Sequence, residues 1–262
     1  MTDPAAALAT RGWARFPADA ASLAWARAAA DAAETALADP VLRDQWLVCE
    51  GTWFVGVDAL PTGPDGAVAG VALAGAAVSF LGAIPPLHPA QLSAVFPGYP
   101  RPRDGESAAA FRYRRDRCAA HVDGIIADGP DRRRKVLEPH AWILGIGLAD
   151  APHDAAPLTV WDGSHRVMAD ALIPVLQAAQ DPAQADVTEV YQAARRTVFD
   201  RCPRRTIPLG LGEAVIVHRH LLHGIAPWSA EPTGRRMTAY FRPIAPFGHQ
   251  DWMADTPVST AN

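Results

Sequence analysis

The sequence predicts a mainly β fold with flanking α-helices, and three patterns support this prediction. Short apolar runs separated by Gly, Pro and Asp recur from residue 119 onward, as expected for the strands of a barrel or sandwich. An Ala-rich helical pattern lies near the N-terminus, and two further helical patterns interrupt the strand runs. The predicted strands lie around residues 119–126, 141–148, 157–161, 206–209, 213–217 and 236–241.

The N-terminal part begins with a predicted helix over residues 18–39. This stretch is rich in Ala, the strongest helix former, and the Asp39-Pro40 pair ends it. Residues 52–60, TWFVGVDAL, have strand propensity, and the turn sequence PTGPDG follows them. The region 1–50 is therefore predicted to be helical, and the sheet is predicted to begin after it.

Two segments before residue 106 have weaker patterns. Gly66–Ile84 is mostly Ala, Gly and Val and is predicted to be loop and strand, because it is too weakly hydrophobic for a membrane span. Residues 85–105 are Pro-rich and are predicted to form an ordered surface excursion with one helical turn. Neither segment contains a domain boundary, so residues 1–262 are predicted to form a single domain.

The helical insert spans residues 164–200. Its two patterns are HRVMADALIPVLQAAQ and DVTEVYQAARRTVFD, and we expect the first helix to kink or end near Pro174. We expect both helices to pack on the outside of the sheet.

Composition excludes several classes of protein. A formal net charge of -4 and a pI near 6.1 disfavour nucleic-acid binding. Three widely spaced cysteines suit neither a disulfide scaffold nor a Cys-based zinc site, which favours a reducing compartment. The first residues lack the pattern of a signal peptide, so we expect a cytoplasmic protein without a membrane partner. These patterns do not predict the oligomeric state.

A His and an Asp two residues apart form the first part of a candidate metal site. His121 and Asp123 lie in the apolar segment Ala120–Gly124, and alternate residues of a strand point to the same face. One imidazole and one carboxylate can therefore converge on a single cation. A facial triad of two His and one carboxylate needs a third ligand, and His218, His220 and His223 all lie in the later segment LGEAVIVHRHLLHGIAP.

These motifs resemble the phytanoyl-CoA dioxygenase-like branch of the Fe(II)/2-oxoglutarate-dependent dioxygenases. The resemblance covers about residues 118–243 and rests on four segments. These are HVDG, PLTVWDGSHR, LGEAVIVHRHLLHGIAP and GRRMTAYFRP. It implies a double-stranded β-helix, the jelly roll of cupins, and it makes His223 the third iron ligand. The chain departs from the family pattern at Asp162, where the family commonly has Pro, but Asp before Gly also favours a turn.

The resemblance also implies an arginine that binds the distal carboxylate of 2-oxoglutarate. A guanidinium suits this task because its planar fork can bind both carboxylate oxygens. Arg236 is favoured, because Thr238 would then lie on the same strand face and share the carboxylate. Arg235 remains the alternative, since the spacing from His223 permits either.

The implied reaction is the hydroxylation or desaturation of an unidentified small organic substrate. Fe(II) is the implied cofactor and 2-oxoglutarate and O2 are the cosubstrates, with succinate and CO2 as coproducts. Halogenation is disfavoured, because family members that halogenate lack the carboxylate ligand that Asp123 supplies. Trp53, His140 and Trp142 are candidate residues of the substrate pocket, although a core position explains each of them equally well.

Two other functions remain open at this stage. One is a metal-dependent cupin-type hydrolase or isomerase that uses the same three ligands without 2-oxoglutarate. The other is a non-catalytic β-domain. For His218 and His220 the simplest interpretation is packing or capping, with His220 as the reserve ligand. The basic run at 132–135 is interpreted as a solvated loop.

Overall fold

The computed structural model describes residues 3–254. Its helices are α1 (Pro4–Arg11), α2 (Ala20–Ala38), α3 (Pro40–Trp46), α4 (Ala76–Leu81), α5 (Ala108–Arg117), α6 (Ser164–Ala178), α7 (Thr188–Arg201) and α8 (His249–Met253). Its strands are β1 (Trp13–Phe16), β2 (Leu47–Val48), β3 (Trp53–Leu60), β4 (Ala90–Val95), β5 (Ile125–Asp128), β6 (Arg133–Val136), β7 (Trp142–Gly147), β8 (Leu158–Trp161), β9 (Arg204–Ile207), β10 (Ala214–His218), β11 (His223–Ile225) and β12 (Arg236–Phe241).

The strands form two main antiparallel sheets and one hairpin. The large sheet has the order β1-β10-β7-β12-β4-β3-β2, the small sheet has the order β11-β8-β9, and β5 pairs with β6. Apolar residues of both main sheets pack into one cluster, which includes Ile143 and Val217 from the large sheet and Leu158 and Val160 from the small sheet. The two sheets therefore form a sandwich with side chains between them.

Helix α2 covers the outer face of the large sheet. Asp19 and Ser22 form a capping box that starts the helix, and the helix ends at Ala38, as the sequence predicts. Trp25, Ala26 and Ala29 are fully buried on its inner face, where the small Ala side chains let the helix lie close to the strands. This helix therefore covers the outer face, and the inner face is directed toward the small sheet.

Helices α6 and α7 pack together over the small sheet, so the prediction of an external helical insert is confirmed. Met168 and Leu172 of α6 and Tyr191 and Val198 of α7 are buried in one apolar cluster. Pro174 lies inside α6 and does not end the helix, contrary to one of our two expectations for it.

Three sequence-based expectations in the first half are wrong. The region 1–50, expected to be helical, contains β1, which pairs with β10 at one edge of the large sheet. The Pro-rich stretch contains β4, which lies inside the large sheet between β12 and β3. The prolines at 85, 86, 89 and 97 flank this strand, so all of its own residues can pair. The segment 66–84 contains α4 in addition to loop.

The basic run at 132–135 also differs from the expectation, because most of it forms β6 rather than a loop. Within residues 3–254, no helix has the length and hydropathy that a membrane span requires.

Candidate metal centre

His121 and His223 lie side by side because their backbones pair. The amide of His121 donates to the carbonyl of His223 at 2.8 Å, and the amide of His223 donates back at 3.0 Å. This antiparallel bridge brings together two residues that are far apart in the sequence, and the two rings lie 4.7 Å apart. The residue after His223 is Gly224, where a Cβ would lie 2.1 Å from the carbonyl oxygen of Cys118. The close approach at this bridge therefore requires glycine.

Asp123 reaches the two rings from a turn rather than from a strand, which corrects the expectation for this segment. The chain leaves the bridge after His121, and the next strand begins only at Ile125. Gly124 has a φ of +80°, and a Cβ there would lie 1.8 Å from the carbonyl oxygen of Glu138. The HVDG motif thus needs its glycine to turn the chain beside residue 138.

Backbone carbonyls fix the orientation of both imidazole rings. Nδ1 of His121 lies 3.0 Å from the carbonyl oxygen of Ala119, and Nδ1 of His223 lies 2.9 Å from that of Leu221. A carbonyl oxygen can only accept, so each Nδ1 carries the hydrogen and each Nε2 is left with its lone pair. This is the arrangement that usually orients a histidine ligand toward a metal.

The three free donor atoms converge on one point. Oδ1 of Asp123 lies 2.9 Å from Nε2 of His121 and 3.6 Å from Nε2 of His223. All three ligand atoms lie within 4.8 Å of one another. Two nitrogen lone pairs and a carboxylate oxygen repel one another at these distances unless a proton or a cation lies between them. The donor set therefore fits a divalent cation.

The electrostatics of the group keep the carboxylate ionised. Without a metal, a ring can bind a second proton at Nε2 and donate it to Oδ1. Burial acts to raise the pKa of Asp123, but the charge of His223 and such hydrogen bonds from both rings hold that pKa well below its usual range. Loss of surrounding water acts to lower the pKa of His121, although about half of its side chain is exposed, and the hydrogen bond with Asp123 outweighs this and raises the pKa of the ring. Asp123 is thus available as an anionic ligand.

Side chains from the surrounding helices and from the end of β12 support this group. The hydroxyl of Tyr191, on α7, accepts the backbone N–H of Val122 at 3.1 Å, between the two ligand positions. The hydroxyl of Tyr113, on α5, donates to the carbonyl of Ala120 at 2.7 Å. Arg242 Nη1 lies 3.5 Å from Oδ2 of Asp123.

A cavity of about 90 Å³ lies between the sheets at the donor atoms. Trp53, one of the predicted pocket residues, lines it. Trp142 does not fit the prediction: it lies in the core beneath α2, and its neighbour Ile143 faces the cavity instead. Adjacent strand residues alternate between faces, so the two positions cannot both line the pocket. The cavity is lined by Trp53, Gln91, Ser93, His121, Asp123, Ile143, Leu158, Val217, His223, Gly224, Ile225, Tyr240 and Arg242.

His140 lines a second, outer cavity of about 310 Å³. Its Nε2 lies 3.2 Å from a carboxylate oxygen of Glu138. Burial lowers the pKa of His140, in spite of the nearby acidic groups, which favours the neutral ring. The outer cavity shares Gln91, Tyr240 and Arg242 with the inner one, so these three side chains form the partition between them.

The two candidate arginines have different surroundings. Arg236 is buried, and its Nη1 and Nη2 donate to the hydroxyls of Thr238 at 2.9 Å and Ser93 at 3.2 Å. The antiparallel register of β12 and β4 puts Thr238 opposite Ser93. Arg235 instead pairs with Glu34, and about a third of its side chain is exposed.

The other histidines of the later segment lie apart from the ligand atoms. The ring of His218 packs edge-on against His220 at 5.1 Å and at a tilt against His165 at 5.0 Å. The ring of His220 packs against Trp252 at 4.2 Å. We call His165, His218 and His220 the packed histidine cluster.

Comparison with known proteins places the fold. No family model matches the sequence, and no curated protein matches it either. One similar solved structure is the non-heme alpha-ketoglutarate-dependent carbocyclase SnoK from nogalamycin biosynthesis, with a TM-score of 0.53 and 14% identity over 100% of this chain and 93% of that one. Another is EctD from S. alaskensis with bound Fe, with a TM-score of 0.50 and 17% identity over 98% of this chain and 80% of that one.

The chain has the fold of the non-heme alpha-ketoglutarate-dependent enzymes. Alpha-ketoglutarate is the same compound as 2-oxoglutarate. The predicted jelly-roll fold class with flanking helices is therefore confirmed. At these identities the likeness shows the fold alone, so the roles of individual residues stay predictions.

Three polar residues that surround the candidate metal centre were not among the predicted site residues. Ser93 lies in the stretch that we expected to be a surface excursion. Tyr191 has no local signal, because its contact with Val122 joins residues 69 positions apart. Arg242 could have been found, since it follows Arg236, Thr238 and Tyr240 at intervals of two and so belongs to the same strand face.

Proposed function

We propose that the protein is a non-heme Fe(II)- and 2-oxoglutarate-dependent dioxygenase that hydroxylates or desaturates a small organic substrate. The observation that carries this proposal is the convergence of Nε2 of His121, Oδ1 of Asp123 and Nε2 of His223 at one point. Support also comes from the fold, which is shared with an alpha-ketoglutarate-dependent enzyme and with an iron-containing one. Because SnoK is described as a carbocyclase, the fold alone does not select the reaction.

Iron would be held by His121, Asp123 and His223. Two imidazoles and one carboxylate occupy one face of an octahedral ion and leave three positions for a chelating oxoacid and dioxygen. When bound, iron supplies the oxidising chemistry that couples conversion of 2-oxoglutarate to succinate and CO2 with substrate oxidation. The contribution of the three residues is to fix the ligand geometry before any cosubstrate arrives.

Arg236 would bind the distal carboxylate of 2-oxoglutarate. Its guanidinium is buried, and its Nε has no hydrogen-bond partner among the described residues. The hydroxyl of Ser93 accepts from Arg236 and from the indole N–H of Trp53, so its own hydrogen is free to donate. The hydroxyl of Thr238 also accepts from Arg236, so its hydrogen can likewise be donated to a ligand. A carboxylate would therefore meet one cation and two hydroxyl donors, an arrangement for which a hydrolase or isomerase that lacks 2-oxoglutarate has no use.

The substrate would approach from the outer cavity, past the partition of Gln91, Tyr240 and Arg242. The inner cavity is apolar on the walls formed by Ile143 and Val217, which suits an apolar part of the substrate. A substrate C–H group placed against these walls would lie beside the iron ligands. His140 would then contact the substrate rather than the cosubstrate, since it lines the outer cavity.

The test is anaerobic addition of Fe(II) and 2-oxoglutarate to the apoprotein. We expect the weak visible charge-transfer band of an iron-chelated oxoacid. Arg236→Ala should weaken 2-oxoglutarate binding by about a hundredfold or more, because a buried two-oxygen ion pair is lost. Arg235→Ala is the matched control and should keep the band, since Arg235 contacts Glu34 at the surface.

Each other outcome changes the proposal in a defined way. If Arg235→Ala abolishes the band and Arg236→Ala does not, Arg235 binds the cosubstrate. If iron binds and no band appears, the metal-dependent hydrolase or isomerase replaces the dioxygenase. If no metal binds, the non-catalytic β-domain remains.

A further inference from the structure

Arg242 lies directly after β12, where the two cavities meet. Its side chain lines both the inner cavity of the donor atoms and the outer cavity. About a quarter of the side chain is exposed, so the guanidinium is largely withdrawn from bulk water. Neither the metal group nor the proposed cosubstrate pocket described above assigns a role to this cation.

The two carboxylate oxygens of Asp123 have different partners. Oδ1 faces both imidazoles, at 2.9 and 3.6 Å, whereas Oδ2 faces Nη1 of Arg242 at 3.5 Å. A carboxylate can bind a cation through one oxygen or through both. An arginine at Oδ2 favours binding of the cation through Oδ1 alone, because Oδ2 already faces the positive charge of Arg242.

Arg242 and Arg236 contact different groups. Arg236 donates to the hydroxyls of Thr238 and Ser93, whereas Arg242 faces Oδ2 of Asp123. Arg236 begins β12 and Arg242 directly follows it, so the two side chains leave the backbone at different positions. The contact with Asp123 is therefore specific to Arg242.

We infer that Arg242 is a positioning residue for the iron ligand Asp123, which holds Oδ2 so that Oδ1 alone meets the metal and a coordination position stays open. This inference rests on the proposed function, because it requires that the three residues bind a divalent metal. It adds a residue outside the triad and a reason for the open position that the chemistry needs.

The test measures Co(II) binding to the metal-free protein by calorimetry and by the visible ligand-field spectrum. Arg242→Gln keeps a polar, though shorter, side chain and removes the charge and the fork. We expect about tenfold weaker Co(II) binding and a changed spectrum, as for other residues that orient metal ligands. Arg242→Lys restores the charge without the fork, and we expect an intermediate affinity.

The direction of the effect separates positioning from simple electrostatics. Loss of a positive charge beside a dication would by itself strengthen binding, because their repulsion disappears. Equal or tighter Co(II) binding by Arg242→Gln, with an unchanged spectrum, would therefore overturn the inference. If that variant fails to fold, Arg242→Lys decides, since an affinity and spectrum equal to wild type would also overturn it.

Two controls distinguish this inference from the proposed function. Arg235→Gln changes a nearby surface arginine and should leave Co(II) binding unaltered. If wild type and His121→Ala bind Co(II) equally, the proposed metal centre itself is wrong. If wild type binds Co(II) through His121 and Arg242→Gln binds as wild type does, only the role of Arg242 is wrong.

Discussion

Two groups of histidines lie among the described residues, and only one of them has the converging donor atoms that a metal ion requires. In the metal group, His121 and His223 each turn Nδ1 to a backbone carbonyl and Nε2 to Asp123. In the packed histidine cluster, His218 packs against both other rings at tilted or edge-on angles, and His220 packs edge-on against Trp252.

The difference between the groups is a carboxylate and the direction of the rings. Burial, followed by the charges of neighbouring basic groups, lowers the pKa of His218 well below its usual value. The same causes lower the pKa of His220 to about 3, and its Nε2 has no hydrogen-bond partner among the described residues. Without an anion these rings stay neutral and serve packing. The number of histidines in a segment therefore says less about a metal centre than one facing carboxylate does.

The largest effect should follow from removing that carboxylate. Asp123→Ala leaves two imidazoles without an anionic ligand, so we expect Fe(II) or Co(II) affinity to fall by more than about a hundredfold and turnover to be lost. His121→Ala should do the same. Titration of the metal-free proteins by calorimetry gives the affinities, and circular dichroism checks that the fold persists.

His220→Gln is the matched change in the packed histidine cluster. It should leave the metal affinity within about twofold of wild type, because the ring packs on Trp252 rather than facing the donor atoms. Full activity in Asp123→Ala, or loss of metal binding in His220→Gln, would reverse the assignment of the two groups.

A smaller effect should appear in the pH dependence of stability. The pKa of His220 is about 3 in the folded protein and near 6.5 in an unfolded chain. Between these values the unfolded chain binds a proton that the folded protein does not, so stability falls as the pH falls from about 6.5 toward 3. At pH 4.5 the loss from this one group is on the order of 2–3 kcal/mol.

His220→Gln removes this titration while it keeps a polar side chain. Urea unfolding at about pH 7.5 and about pH 4.5 should therefore show a smaller loss of unfolding free energy for the variant than for wild type. The exposed His153→Gln serves as the control and should lose as much stability as wild type. An equal loss in His220→Gln would mean that this ring is already protonated in the folded protein.

The smallest effect should come from the helix that supports the metal group. Tyr191→Phe removes the hydroxyl that accepts the N–H of Val122, which leaves a buried donor unpaired. We expect a loss of about 1 kcal/mol in unfolding free energy and less than about tenfold in metal affinity. Thermal unfolding measures the loss of stability, and metal titration measures the loss of metal affinity. A loss of metal affinity as large as that of Asp123→Ala would show that α7 does more than support the backbone.

Local signals explain what the sequence predicted well. Asp39-Pro40 predicts the end of α2 at Ala38, and Gly, Pro or Asp residues bound most of the later strands. The end of this helix and the limits of these strands can therefore be predicted from neighbouring residues. The meeting of His121 with Asp123 also needs only a short segment of chain. These residues meet through a turn and not through the strand that was predicted. The turn was missed because the positive φ of Gly124 is not apparent from apolar patterning.

Features that depend on pairing between distant segments could not be predicted. The choice between Arg235 and Arg236 depends on the register of β12 with β4, and β4 itself was hidden among prolines. Trp142 was a weak candidate for the pocket, but Ile143 faces the cavity instead, and only the phase of the strand relative to the facing sheet determines which of the two does so. The contact of Arg242 with Asp123 likewise joins the end of β12 to a turn far away in the sequence, and no local pattern relates these two segments.

The three residues of the metal group are unequally covered. About half of the His121 side chain is exposed, whereas Asp123 and His223 are about 10% exposed. An ion at this centre would thus have a side open to solvent, where water or a chelator can replace one ligand while the other two hold. At the proposed metal centre, exchange of the ion would therefore require no unfolding of the chain.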